Sequence, residues 1–212
     1  MLVVLAIIVV ITAIVFAGNT LFNRSLTLIN TTYDVALSIR QAQVFGVSSR
    51  TFNATQNTGY GIHFNRTTNL TYLMYADTYP APGNAANCHC ANAACAALPD
   101  AKPGNCAYDA VYGGNQSELV TQYTLGAGVT ISDFCGPDSS NTTHCANTGS
   151  SDLAALDIVF VRPNEQAILY GRTSAGASYQ LSSATIYLNA SGSQRCVQVT
   201  SFGQVSVLAT CP

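Results

Sequence analysis

The sequence predicts an α+β protein, with a long N-terminal helix (a membrane half and an amphipathic half) packed on an antiparallel β-sheet head. Three observations carry this. No proline occurs before Pro80, and apolar residues recur at the helical period from Met1 to about Arg50. Beyond Arg50 the period switches to alternation in short segments rich in β-branched and aromatic residues. Most of those segments are joined by turns such as Arg66–Thr68 and Ser201–Gly203, too short for the dozen or more residues of a parallel crossover.

The helix comes first. Met1–Ala17 reads MLVVLAIIVVITAIVFA, Thr12 is its only polar side chain, and no charge appears before Arg24. About 20 apolar residues span a bilayer core, so the run to Phe22 is just long enough. A cleavable signal peptide, with Val15 and Ala17 before the cut, is the alternative, but the basic n-region is absent and the helical pattern continues. Phe22, Leu26, Ile29, Tyr33 and Ala36 form one row, and Leu28, Val35, Ile39 and Ala42 form a second beside it. Together they predict one broad apolar stripe. Arg24, Asp34, Arg40 and Gln43 face elsewhere. Gly46 weakens the pattern and the stretch from Asn53 to Gly59 ends it. The expected division is 1–50 for the helix and 51–212 for the head.

Strands are expected near Gly59–Asn65, Asn69–Tyr75, Leu119–Leu125, Val129–Phe134, Leu156–Arg162, Ala167–Arg172, Ala184–Asn189, Arg195–Thr200 and Gln204–Ala209. One face of such a sheet must be covered, and the amphipathic half of the helix is the evident cover. Between them, 76–118 is rich in Ala, Asn, Gly and Pro and has no sustained period, so it is expected to be an insertion held by its own disulfides.

Composition narrows the function classes. Charged residues make up only 8% of 212, net charge is -2, and Lys102 is the only lysine. No basic stripe exists to neutralise phosphates, so nucleic acid is not an expected partner. The eight cysteines, Cys88, Cys90, Cys95, Cys106, Cys135, Cys145, Cys196 and Cys211, all follow residue 87. An even number in loop-rich sequence reads as disulfides formed in an oxidising compartment. Cys196 and Cys211 lie on the two arms of a hairpin turning near Phe202 and Gly203, and are expected to pair. Cys135–Cys145 is the expected second bridge, which leaves the four insertion cysteines to pair among themselves.

Cys88, His89, Cys90, Cys95, Cys106, His144 and Cys145 could instead hold zinc. Their C-x-C spacing lacks the paired C-x₂-C knuckles of structural zinc sites, so disulfides are the stronger reading and no metal is expected. Asp133, Asp138 and Asp152 match no calcium loop. His63, His89 and His144 stand in no catalytic motif, and no G-x-S-x-G elbow, Walker A loop or dinucleotide fingerprint is present. No enzyme activity and no cofactor are expected. Sequons at Asn23, Asn30, Asn53, Asn65, Asn69, Asn115, Asn141 and Asn189 follow from an Asn/Thr-rich composition.

The segment LVVLAIIVVITAIV resembles the membrane helix of type IV pilins and type II secretion pseudopilins. In that family a processing motif of Gly, Phe and, a few residues on, Glu precedes the helix. Met1 falls just after where that glutamate would sit, so its role is assigned to no residue here. Leu37–Arg50, Gly59–Phe64, Asp157–Pro163, Arg195–Val199 and Gly203–Val205 resemble minor pseudopilins of the H class. The resemblance implies a single-pass inner-membrane protein with an extracytoplasmic head, stored in the lipid bilayer and then assembled with other pilin or pseudopilin subunits. Its assembly helix would use Leu2, Val3, Leu5, Ile7, Ile8, Val10, Ile11, Ile14 and Val15. The competing expectation is a membrane-tethered, adhesin-like binding module whose insertion contacts a ligand through Tyr79, Tyr108 and Tyr112.

Overall fold

The computed structural model describes residues 2–48, 50–114 and 116–212, and within the helix the side chains of 3–13 and 23–48. Helix α1 runs Leu2–Val47 and a single turn, α2, covers Ala93–Ala96. Eleven strands follow in chain order: β1 Gly59–Asn65, β2 Thr71–Asp77, β3 Leu119–Thr124, β4 Thr130–Pro137, β5 Thr143–Cys145, β6 Leu153–Phe160, β7 Ala167–Thr173, β8 Ser178–Leu181, β9 Ser183–Ala190, β10 Ser193–Thr200 and β11 Val205–Leu208. They form two antiparallel sheets. One has the order β3-β2-β1-β6-β7-β8 and the other β11-β10-β9-β4-β5.

The period-2 pattern explains why two sheets are needed. In β1, Ile62 and Phe64 point into the main core, with Ile62 opposite Met74 on one side and Ile158 on the other. From the second sheet Ile186, Leu188, Val197 and Val199 meet them, and Leu28, Val35, Ile39 and Ala42 of α1 complete the same core. The opposite face of the six-stranded sheet is buried as well. There Tyr75 and Val159 pack with Cys106 and Tyr108 of the segment between β2 and β3. Strands buried on both faces need a layer on each side, and a single helix supplies only part of one.

The expected fold class is therefore corrected. The molecule is mostly β, built as two antiparallel sheets, and it is not a long apolar helix laid on a single-sheet head in the pilin manner. The membrane expectation is corrected too: among the described residues no helix is long and apolar enough to cross a membrane. The expected single-pass inner-membrane location is therefore not supported by the described residues.

Helix packing buries the second predicted row, together with Ala36 from the first. Leu28, Val35, Ile39 and Ala42 are buried together with Thr31, Thr32, Ala36 and Ser38, at steps of three and four. Leu26 and Tyr33, from the other row, are exposed. Near its end the helix closes on β6. A Cβ on Gly46 would stand 2.2 Å from the Phe160 carbonyl oxygen, so glycine is what permits the approach. Arg162 N–H then donates to the Gly46 carbonyl at 3.1 Å.

Candidate functional site

The first candidate surface is the start of α1. Its backbone bonds are closed within the helix, but its side chains stand bare: Val3 is 73% exposed and Ile8 55%, and Val4, Leu5, Ile7, Val9, Val10 and Ile11 are likewise exposed. Thr12 hides its hydroxyl by donating to the Ile8 carbonyl at 2.9 Å, so the surface has almost no free polar group. Of the expected assembly residues, Val3, Leu5, Ile7, Ile8, Val10 and Ile11 lie here. Leu2, Ile14 and Val15 fall outside the described side chains.

Among the described side chains, the head takes hold of the helix from Arg24 onward. Arg24 donates to Ser191 Oγ at 3.1 Å, Arg40 to the Val205 carbonyl at 3.1 Å, and Gln43 to the carbonyls of Glu165 and Gly203. Leu26, Tyr33, Leu37 and Val44 are all exposed, Tyr33 and Leu37 at the edge of a cavity shared with Val205 and Val207 of the head. Their spacings of seven, four and seven place them on a single a/d seam, with Asn30 and Arg40 at the intervening positions. The amphipathic half of α1 thus carries two apolar stripes. One is buried in the core and the other is bare.

The second candidate is the segment 78–118, which among the described residues has one helical turn and no strand of its own. Its backbone donors go to buried carboxylates on the outer face of the six-stranded sheet. Asp77 accepts from the backbone N–H groups of Asn105 and Cys106, each at 2.9 Å. Glu118 accepts from Thr78 at 2.7 Å and from Tyr79 and Asp109 at 2.9 Å. Asp157 accepts from Tyr108 N–H at 3.2 Å, sits 2.8 Å from His63 Nδ1, and pairs with Arg172 at 3.0 Å.

These carboxyls are pushed in opposite directions. Burial raises Asp77 well above the ordinary range, its two backbone donors opposing. Burial, followed by the Asp77 charge, pushes Glu118 up to about 8 against three backbone donors. Burial would raise Asp157 too, but His63 and Arg172 outweigh it and hold the group below the usual range. His89, next to Asp77, is lowered to about 4, first by burial and then by the Lys102 charge.

The second sheet repeats the device on a smaller scale. Asp133 accepts from the N–H groups of Phe134, Ala146, Asn147 and Thr148, and from the Thr148 hydroxyl. His144 lies between Asp152, 2.6 Å from Nδ1, and Asp138, 3.2 Å from Nε2, and its ring stacks on Tyr179 at 3.7 Å. Burial opposes its charge, but the two aspartates prevail and raise it. Asp133, Asp138 and Asp152 are therefore not gathered at one point, and each already has a task.

Four disulfides close the molecule: Cys88–Cys106, Cys90–Cys95, Cys135–Cys145 and Cys196–Cys211. Cys135 and Cys145 face each other directly across β4 and β5. In the insertion, Tyr108 is not a free contact residue, because it packs against His63 and Tyr75. Tyr79 and Tyr112 stack on each other at 5.0 Å, with Tyr79 exposed.

Comparison with protein-family models, with curated proteins and with solved structures finds no match for this chain. The pilin resemblance rests on the quoted segments alone. Sequence reasoning missed that Leu26, Tyr33, Leu37 and Val44 form a stripe separate from the core, although their heptad spacing was readable. It also missed the buried carboxylates, because an acid within irregular sequence gives no sign of the backbone that will close over it.

Proposed function

We propose that the chain is a structural, non-catalytic subunit that assembles through its N-terminal helix with further copies or related subunits, in a filament of the minor pilin or pseudopilin kind. The observation that carries this reading is the bare helix, apolar all round from Val3 to Ile11 and continued by the exposed seam Leu26, Tyr33, Leu37 and Val44. Exposed apolar surface on this scale marks an interaction site. Burying a valine, leucine or isoleucine side chain is worth about 1.5–3 kcal/mol, so the eight exposed apolar residues from Val3 to Ile11 supply ample driving force for helix association.

The seam adds direction to that force. Residues repeating at heptad spacing suit packing against another helix rather than an irregular surface. The polar tethers at Arg24, Arg40 and Gln43 fix how the helix leaves the head, so subunits packed through the helix would carry their heads in one orientation.

Sedimentation and electron microscopy of the full chain and of Ile8→Asp test the proposal. The wild type is expected to form regular elongated assemblies. Ile8→Asp is expected to sediment as a single chain with an unchanged melt of the head, since an unpaired charge against apolar neighbours costs several kcal/mol. Leu37→Asp, on the seam, separates ordered packing from simple aggregation by shifting the size distribution as well. Assemblies unaffected by either substitution would refute the reading.

A further inference from the structure

The corner where the insertion meets the end of β2 brings together four groups of the kind that bind soft divalent metals. Asp77, Cys88, His89 and Cys106 each offer a ligand atom, and these atoms all lie within 4.8 Å of one another. His89 Nε2 is 3.4 Å from Asp77 Oδ2 and 3.5 Å from Cys106 Sγ. A tetrahedral zinc ion with ordinary bond lengths separates a nitrogen and an oxygen ligand by about 3.3 Å, and a sulfur and a nitrogen ligand by about 3.5 Å. Two edges of that tetrahedron are already in place. The edge that differs is the one between the sulfurs, which a covalent bond holds at about 2 Å where zinc requires about 3.8 Å.

We propose that reduction of the Cys88–Cys106 disulfide converts this corner into a zinc site with Asp77, Cys88, His89 and Cys106 as its four ligands. The surroundings suit the exchange. The Asp77 side chain is fully buried and the His89 side chain nearly so, and the N–H groups of Asn105 and Cys106 hold the Asp77 carboxylate in place. Such second-layer bonds orient a ligand before the metal arrives. Cys88 is exposed and gives a reductant its approach. A cavity of about 200 Å³, lined by His89, Lys102, Arg162 and Gln166 among others, opens beside the imidazole.

The other cysteine-bearing cluster makes a useful contrast. Asp133, Cys135 and Cys145 offer only three ligands, and the Asp133 oxygens are already taken by four backbone N–H groups and a hydroxyl.

The chemistry balances with a phosphine as reductant. The S–S bond breaks, the phosphorus takes the oxygen of one water, and the two hydrogens of that water end on the sulfurs. Zinc binding then releases both as protons, together with the proton that burial favours on Asp77, and the two thiolates and the Asp77 carboxylate face the divalent ion.

The test uses the full chain, reduced by tris(2-carboxyethyl)phosphine and alkylated with or without one equivalent of zinc, with peptide masses read at each cysteine. Zinc is expected to protect Cys88 and Cys106 while Cys135 and Cys145 label as before. His89→Ala and Asp77→Asn, each checked for an unchanged melt while oxidised, are expected to lose that protection. Cobalt in place of zinc is expected to give the absorption of a tetrahedral thiolate site in the wild type only. Labelling indifferent to zinc, protection that survives in His89→Ala, or protection confined to Cys135 and Cys145 would overturn the proposal. So would a reduced chain that unfolds and cannot be refolded by zinc. None of these outcomes bears on assembly through α1.

Discussion

The start of α1 and the insertion 78–118 solve opposite problems. The helix closes its own backbone hydrogen bonds and leaves its side chains bare, with Val3 to Ile11 exposed and no charge among them. The insertion has almost no regular backbone and closes nearly everything else, through Asp77, Glu118 and Asp157 beneath it and two disulfides within it. One region is closed within the single chain; the other leaves its apolar side chains uncovered. A surface that a folded chain leaves apolar and unpartnered is therefore the better guide to function here than the region richest in polar chemistry.

The largest effect on the completed side is expected from Asp157→Ala. It leaves His63 and Arg172 facing each other under the insertion without their carboxylate, and breaking a buried pair in this way costs about 3–5 kcal/mol. Urea denaturation should show that loss while the size of the assemblies stays as in wild type. Dependence of assembly on Asp157 would mean that the two regions are not independent.

Next comes the Cys196–Cys211 bridge, which joins residues 15 apart at the free end of the second sheet. Replacing both with serine should lower stability by about 3 kcal/mol, measured by the same titration. A change much below about 1 kcal/mol would show that β10 and β11 are held by pairing alone.

The gentlest probe is pH. A carboxyl raised on folding contributes stability that is fully present below its unfolded value and is lost as pH rises through its folded value. For Glu118 that window runs from about 4.5 to about 8. Glu118 should remove stability across this window at no more than about 1.4 kcal/mol per pH unit; His89, lowered to about 4, acts in the opposite sense up to about 6.5, so the loss is read between about pH 6.5 and about pH 8. Glu118→Gln should show a shallower slope; an equal slope would mean that Glu118 does not titrate there. Asp157, held low, acts in the opposite sense and only as pH falls below the ordinary carboxylate range, outside this window.

Much of the local structure was legible. Gly59–Asn65 alternates cleanly and forms β1 with those bounds, and nine of the eleven strands fall where alternation placed them. β5 and β8 are three and four residues long, too short for a period to register. Their arrangement was not legible, because β1 beside β6 and β4 beside β9 are long-range pairings that local pattern does not encode. Periodicity found the apolar rows of α1 but could not say which one faces the core, so Leu26 and Tyr33 were expected inside and lie outside. Gly46 read as a weak point in the helix; it is the place where α1 meets the backbone of β6. The membrane span was inferred from the uncharged apolar run, the missing basic n-region and the continuing helix, and among the described residues no helix is long and apolar enough to bear it out.

The most direct test of the account is a photo-crosslinking residue placed at Ile8 in the full chain, irradiated in the assembled state, with the adducts identified by mass. Adducts to the helix of another copy or of a related subunit are expected, concentrated between residues 3 and 44. Irradiation that yields no protein adducts, or adducts only within the same chain, would contradict it.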